Sequence, residues 1–389
     1  MKKKVTKFRH LSLFSGCGGM DLGVKGGFKV RSEFINKKTS SGWTLLSKTK
    51  FNTIFANDIK VESYNFWKKN LINKNVEFKL GSIVDLVKEH KKYGNIFPKN
   101  IDLVTGGFPC QDFSVSGLRK GFNSHKSHRN DFNKVRKNET RGKLYLWMKE
   151  VIQITKPKVF IAENVKGLVN MQQVFEIIKN DFQNTGTGYR VYHKEFYAPD
   201  FGIPQSRKRI FFVGINENFI KKNKIKITED DVFPKEEFVK EKNLFDKKEY
   251  PKAKLFFKGL NEPNIEKKDI SQQMFSKAKY NPGTQGQTEV NENGIAPTIR
   301  SEHHGNIEFR YLDKKNGGKN SLKLEQRRLT VRECARIQTF PDDLEFVFNE
   351  SKNIKLSASA AYKLIGDAVP PLLSYKLIKK IEKLFIKYL

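Results

Sequence analysis

The sequence predicts an α/β fold: a doubly wound, mixed but mostly parallel sheet, accompanied by a second, smaller and irregular domain. Three observations carry that reading. Short apolar runs alternate with helical patterns through the first half of the chain, and such alternation places helices on both faces of a parallel sheet. After Asn216 the texture changes: charge rises and periodicity fades. Regular pattern then returns at Leu329–Phe340 and runs to the end. The expected division is residues 1–216 with 327–389 as one domain and 217–326 as the other, and 389 residues suffice for a large core and a small one.

In chain order, the strand candidates are Leu11–Phe14, Thr53–Asn57, Ile101–Thr105, Val159–Ala162, Arg190–Phe196 and Arg209–Ile215. Between the third and fourth, Leu146, Trp147, Val151 and Ile154 recur at helical spacing within Leu144–Ile154. The stretch from Lys221 to Lys268 is charged, with scattered Phe and Pro, and Asn281–Gly305 is rich in Gly, Thr, Gln, Asn and His. After Pro370 and Pro371, the positions Leu377, Ile378, Ile381, Leu384 and Phe385 mark a final amphipathic helix expected to pack on the first domain.

Composition narrows the function. Lys and Arg number 74 against 42 Asp and Glu, a net charge of +32 and a pI near 9.8. Such an excess favours a polyanionic partner, because neutralised phosphates release counterions. The three cysteines, Cys17, Cys110 and Cys334, lie far apart without a CxxC pair. That pattern argues against a disulfide framework or a cysteine zinc site and suits a reducing cytoplasm. No run resembles a signal peptide or is long enough to span a membrane. The expectation is a protein of the cytoplasm without a resident metal.

The chemistry-bearing residues fall at strand ends. In Phe14-Ser15-Gly16-Cys17-Gly18-Gly19 a strand runs into closely spaced glycines, which let backbone approach a ligand. Asp58, with Ile59 after it, ends the second strand, where a carboxylate can accept both hydroxyls of a ribose. Together they suggest a nucleoside-containing cofactor without identifying it. Gly107-Phe108-Pro109-Cys110-Gln111-Asp112-Phe113-Ser114 follows the third strand and sets a cysteine where ligands bind. Cationic neighbours such as Arg119 and Lys120 would favour its thiolate, the reactive form. Glu163 closes the next strand, where a partly buried carboxylate can hold or share a proton. Arg207 and Arg209 precede the last strand, placed to bind a phosphate or a carbonyl oxygen.

These blocks, in this order, resemble the cytosine-5 DNA methyltransferase family, especially its bacterial restriction–modification enzymes. FSGCGG resembles the cofactor loop, GGFPCQDFS the catalytic loop, AENV the base-binding carboxylate strand and QSRKRIFFVG the arginine block. Arg328-Leu329-Thr330-Val331-Arg332-Glu333 and Gly366-Asp367-Ala368-Val369-Pro370-Pro371 resemble the last two blocks. The resemblance spans nearly the whole chain outside 217–326.

The resemblance implies a Rossmann-like S-adenosylmethionine-dependent fold that methylates carbon-5 of cytosine in double-stranded DNA. It implies base flipping, with Cys110 as nucleophile, Glu163 on the base edge, Arg209 on the base carbonyl and Arg207 ordering the catalytic loop. S-adenosylmethionine would be lined by Phe14, Ser15, Gly16, Gly18, Gly19, Asp58, Ile59, Pro109, Asp367 and Ala368, with closure of the loop from Gln111 to Gly142. DNA would meet Gln111 and Ser114, and also Thr298, Ile299, Arg300 and His303 of a recognition loop in 217–326. A monomer is expected, and a cognate restriction endonuclease acting on the same site is the implied companion. The sequence departs from the family at Ser82 and Asp367, where an acid and an Asn are usual, and at a basic insertion, 123–140. Cys17 and Cys334 are expected to be packing residues. Two rival readings stand beside this one: a transfer-RNA cytosine methyltransferase, and a catalytically silent DNA-binding protein. A dinucleotide oxidoreductase would account for the glycines and Asp58 but not for Pro109-Cys110-Gln111.

Overall fold

A computed structural model of the chain describes residues 7–109, 144–240, 248–275, 289–301, 309–312 and 325–389. Seven strands form the central sheet: β1 (Phe8–Leu13), β2 (Phe51–Asp58), β3 (Glu77–Leu80), β4 (Leu103–Gly107), β5 (Val159–Val165), β6 (Tyr189–Tyr197) and β7 (Lys208–Asn216). Their order across the sheet is β3-β2-β1-β4-β5-β7-β6. The first five run parallel, and β7 lies antiparallel between β5 and β6. The expected mixed, mostly parallel sheet is therefore what forms.

The residue pattern explains the order. Val159 to Asn164 are all buried, as a central strand covered on both faces requires. β6 sits at an edge and buries only Tyr189, Val191 and Phe196 among exposed and half-buried positions. β3, the opposite edge, has no fully buried residue, and for that reason its apolar pattern is too weak to be read as a strand from sequence. The six anticipated strands are each found: β2, β5, β6 and β7 run longer than anticipated, β1 starts at Phe8 and ends before Phe14, and β4 is displaced by two residues to Leu103–Gly107.

Helices cover both faces. On one side α3 (Ile83–Tyr93), α4 (Leu144–Thr155) and α5 (Gln172–Gln183) lay Val84, Val87, Met148, Val151, Ile178 and Phe182 on Leu11, Leu13, Val104 and Phe160. On the other, α1 (Gly19–Lys25), α2 (Val61–Asn70) and the last helix pack on Phe8, Ala56, Leu103 and Ile161. A side chain such as Phe182, fully buried here, contributes about 2–3 kcal/mol of transfer free energy. The chain returns to this layer through α6 (Val331–Ile337), α7 (Ala358–Asp367) and α8 (Pro371–Tyr388). Pro371 opens α8, where a missing N–H costs nothing. Phe385 of α8 meets the rings of Phe8 and Phe51 at 4.9 and 5.3 Å, so the last helix packs on the central sheet as its periodicity requires.

Among the described residues, 217–326 supply only short elements. The helices Glu217–Lys222 and Glu229–Val232 lie against the main body, with Phe219 and Phe385 at 6.0 Å between centroids. The block before α6 is an anchor between regions. Thr330 and Glu333 form a capping box, and Arg327 joins Glu333 to Glu262 at 2.8 Å each. Arg332 binds Asp269, and Arg336 donates to the carbonyls of Phe256 and Lys258. Among the described residues, no helix is long and apolar enough to cross a membrane.

Candidate active site

The carboxyl ends of β1, β2, β4 and β5 open into one cleft of about 440 Å³, where ligands sit in open α/β sheets. Phe14 turns out of β1 with φ of +51°, a conformation costly for a non-glycine residue. The loop after it is pinned from β2: Ser15 N donates to the Asn57 carbonyl at 2.9 Å, and Gly16 N to Asp58 Oδ2 at 2.8 Å. Lys60 N donates to the other Asp58 oxygen at 2.9 Å. Burial raises the Asp58 carboxyl above its ordinary range, and Lys60 with these two N–H groups opposes the rise. Each Asp58 oxygen thus keeps one backbone donor and a lone pair for a ligand hydroxyl. Ile59, 45% exposed, offers an apolar face beside it.

The other end of the cleft belongs to Glu163. Gly107 pairs with Glu163 across β4 and β5, so the strand that leads to Phe108, Pro109 and Cys110 runs beside the carboxylate. A Cβ on Gly107 would come to 3.0 Å of Glu163 Oε2, so the absent side chain makes room for the carboxylate. Arg209 Nε lies 2.8 Å from Glu163 Oε1, reaching from β7, where Arg209 pairs with Val165. Burial raises the Glu163 carboxyl, against the opposing charges of Arg209 and Arg207. A carboxyl so placed accepts or donates a proton at little cost.

Arg207 stands behind this wall. It is fully buried and donates to the carbonyls of Ile299, Gly366 and Ala368 at 3.0, 2.9 and 2.7 Å. It thereby locks residues 298–301 against the end of α7. The two segments touch closely: a Cβ on Gly366 would lie 2.4 Å from the backbone of Arg300. Asp367 follows, bonded to Lys60 Nζ at 2.9 Å across the mouth of the cleft. Burial would raise its carboxyl, but Lys60, Ser301 and Arg207 hold it below the usual range.

The cleft thus gathers Phe14, Ser15, Gly16, Gly19, Asp58, Ile59, Pro109, Glu163, Arg209, Asp367 and Ala368 from the anticipated set, together with Thr298, Ile299 and Arg300. Gly18 does not line it; its φ of +69° serves the turn, and its Cα faces Trp67 and Leu71. Arg207 acts through backbone carbonyls, not at the cleft surface. Ile299, expected at the DNA, is only 1% exposed because its carbonyl and amide are drawn inward by Arg207 and Gln205. Arg300 beside it is exposed. Ser82 caps α3, its hydroxyl accepting from Val84 N at 3.2 Å. Cys17 and Cys334 are buried, as expected of packing residues, and Cys17 Sγ donates to the Leu364 carbonyl at 3.3 Å. Cys110, Gln111, Ser114 and His303, with the loop to Gly142 and the 123–140 insertion, lie outside the described residues. Sequence reasoning missed Lys60, whose partner is 307 positions away, and gave no role to Asp21, whose burial no local signal announces.

The sequence model of the family described as C-5 cytosine-specific DNA methylase matches residues 8–383. Among curated proteins, the Type II methyltransferase M.NgoPII of Neisseria gonorrhoeae is 28% identical over 400 residues, covering 96% of this chain and 95% of the relative. The Type II methyltransferase M.MthTI of Methanothermobacter thermautotrophicus is 30% identical, with 96% of each chain covered. Among solved structures, the S. pombe Dnmt2 methyltransferase superposes with a TM-score of 0.61 at 19% identity, covering 97% of this chain and 99% of its own. At that identity the likeness speaks for the fold.

Proposed function

The chain belongs to the C-5 cytosine-specific DNA methylase family, and from that premise we propose that it methylates one cytosine within a short double-stranded site, through covalent addition of Cys110 to a flipped base. The observation that carries this reading is the pairing of Gly107 with Glu163, which sets the strand leading to Cys110 beside a buried carboxylate and Arg209.

The residues at the β1 and β2 ends fit S-adenosylmethionine. Asp58 has acceptor capacity for ribose hydroxyls, Ile59 presents an apolar face for a flat ring, and the loop N–H groups are fixed by β2. When bound, S-adenosylmethionine supplies an electrophilic methyl group on a sulfonium.

The chain's own residues do the rest. A stacked cytosine cannot be attacked in the duplex, so the base is turned out into the cleft. There Glu163 holds the Watson–Crick edge and supports a proton at N3, and Arg209, the neighbouring cation, takes the carbonyl oxygen. The Cys110 thiolate adds to C6, and the electron pair of the C5–C6 bond makes C5 nucleophilic. After C5 is methylated, its proton leaves to a base, the C5–C6 double bond re-forms and the thiolate is expelled. Arg207 holds residues 298–301 and the end of α7 in place, and so keeps the two walls in register. Arg300 and His303, with Gln111, Ser114 and Thr298, would meet the DNA. The chain's similarity to Type II methyltransferases supports a place in a restriction–modification system, with a cognate endonuclease and protection of host DNA.

The test is expression in a host that lacks and tolerates cytosine methylation, followed by bisulfite sequencing of its DNA. Methylation confined to one motif is expected, and Cys110→Ala should erase it while sparing DNA binding. Soluble protein with unmethylated host DNA and tritium uptake into transfer RNA would overturn the DNA reading. DNA binding without a covalent complex on 5-fluorocytosine duplexes would overturn the covalent mechanism.

A further inference from the structure

The floor of the cleft holds a carboxylate that the roles above leave unused. Asp21 is 4% exposed yet lines the cleft, and neither of its oxygens has a well-formed hydrogen bond. The Ser12 hydroxyl faces it, and His10 Nδ1 lies 4.0 Å from Oδ1. His10 is no counter-ion: its ring nitrogens contact Thr53 and Thr105 hydroxyls at 2.9 and 2.8 Å, and burial drives its pKa down to about 3. The charged groups nearby are engaged elsewhere. Asp58 takes two backbone N–H groups, Lys60 pairs with Asp367, and α8 presents to α1 the Ser374 hydroxyl, which donates to the Met20 carbonyl at 2.9 Å.

We infer that Asp21 is the counter-ion for the α-ammonium of the cofactor's amino-acid end. This rests on the cleft being the S-adenosylmethionine site. The direction of the ligand follows from its fixed ends. Asp58 takes the ribose on the β2 side, and the base lies at the rim with Glu163. The methyl-bearing sulfur must face that rim. Asp21 is buried deeper, facing the hydroxyl of Ser12, which pairs with Thr105 one residue inside the end of β1 and two inside the end of β4. The floor is therefore left for the ammonium, and a buried carboxylate lacking a cation of its own is suited to receive it. Burial lifts the Asp21 acid to about 7 in the unliganded chain, so binding the cation draws off a proton near neutrality.

Three probes separate the alternatives by calorimetry on the full chain: S-adenosylmethionine, S-adenosylhomocysteine, which keeps the ammonium and loses the sulfonium, and 5′-methylthioadenosine, which lacks both. Asp21→Asn should weaken the first two alike, by about tenfold or more, and leave the third unchanged. Wild-type affinity for S-adenosylhomocysteine should rise from pH 6 to pH 8, while that for 5′-methylthioadenosine stays level. The pH series needs no variant, so the test survives a variant that misfolds. A loss confined to S-adenosylmethionine, equal losses for all three probes, or a flat pH series would each overturn the assignment. If the wild type bound none of the three, the reading of the cleft itself would fall instead.

Discussion

Lys60 Nζ stands 2.9 Å from Asp367 Oδ2, joining the chain just after β2 to the end of α7 across the cleft mouth. The two side chains are 48% and 40% exposed, so the pair contributes only about 0–1 kcal/mol to stability. Its importance is its position, since it sets the distance between two walls that must close on the same ligand.

Asp367→Asn should therefore leave the unfolding midpoint nearly unchanged and act on the cofactor. The expected result is an altered KM for S-adenosylmethionine with kcat preserved. A double-mutant cycle with Lys60→Met should show coupling in that KM, and strict additivity would mean the two residues act separately.

Glu163→Gln keeps the shape of the carboxyl and removes its capacity to carry a proton. If Glu163 supports the proton at N3, kcat should fall by about 10²–10⁴-fold with duplex affinity little changed. Burial raises the acid while Arg209 and Arg207 restrain it. The protonated fraction declines as pH rises through that raised value, so the wild-type rate should carry an alkaline limb that the Gln variant lacks. Steady-state rates from pH 6 to 9 check both points.

Arg207→Ala tests the lock behind the cleft. The buried carbonyls of Ile299 and Gly366 would lose the guanidinium donor and that of Ala368 would keep only Gln338 Nε2 at 3.4 Å, at about 1–3 kcal/mol for each one left unsatisfied. Urea unfolding should show a loss of about 3 kcal/mol or more. Arg207→Lys should recover only part, since an ammonium cannot span three acceptors with a planar fork. A stable Arg207→Ala protein would show that water replaces the guanidinium freely.

The fates of these residues show what sequence made legible. Asp58 and Glu163 were readable because each lies at the carboxyl end of an apolar run, and parallel topology gathers such ends on one edge of the sheet, while Arg209 reaches the same edge because it opens the antiparallel β7. β3 was not, because an edge strand with half-exposed residues has no clear period. Gly18 sits in the expected motif yet faces Trp67 and Leu71, and Ile299 borders the cleft but is only 1% exposed, since a motif fixes the chain's path but not which atoms reach the surface. The burial of His10 and Asp21 arises from α1 lying over β1, and the Lys60–Asp367 pair from the return of the C-terminal helices. Both are products of packing between distant segments, which local pattern does not encode.

Asp21 also bears on stability, with a sign that pH reveals. Its acid lies near 7 in the folded chain against an ordinary 3.8, so between those values the folded state binds more protons than the unfolded one. Stability from this group is then lost as pH rises from about 4 to 7, reaching at most about 4 kcal/mol. His10 works oppositely: held neutral to about pH 3, it costs stability as pH falls below 6.5. Asp21→Asn removes the first arm alone. Its gain in Tm over the wild type, without ligand, should vanish near pH 4, grow toward pH 7 and level off above it. Thermal melts at five pH values check this. A gain that did not vary with pH would mean that Asp21 stays ionised in the folded chain, and that a partner already meets its charge.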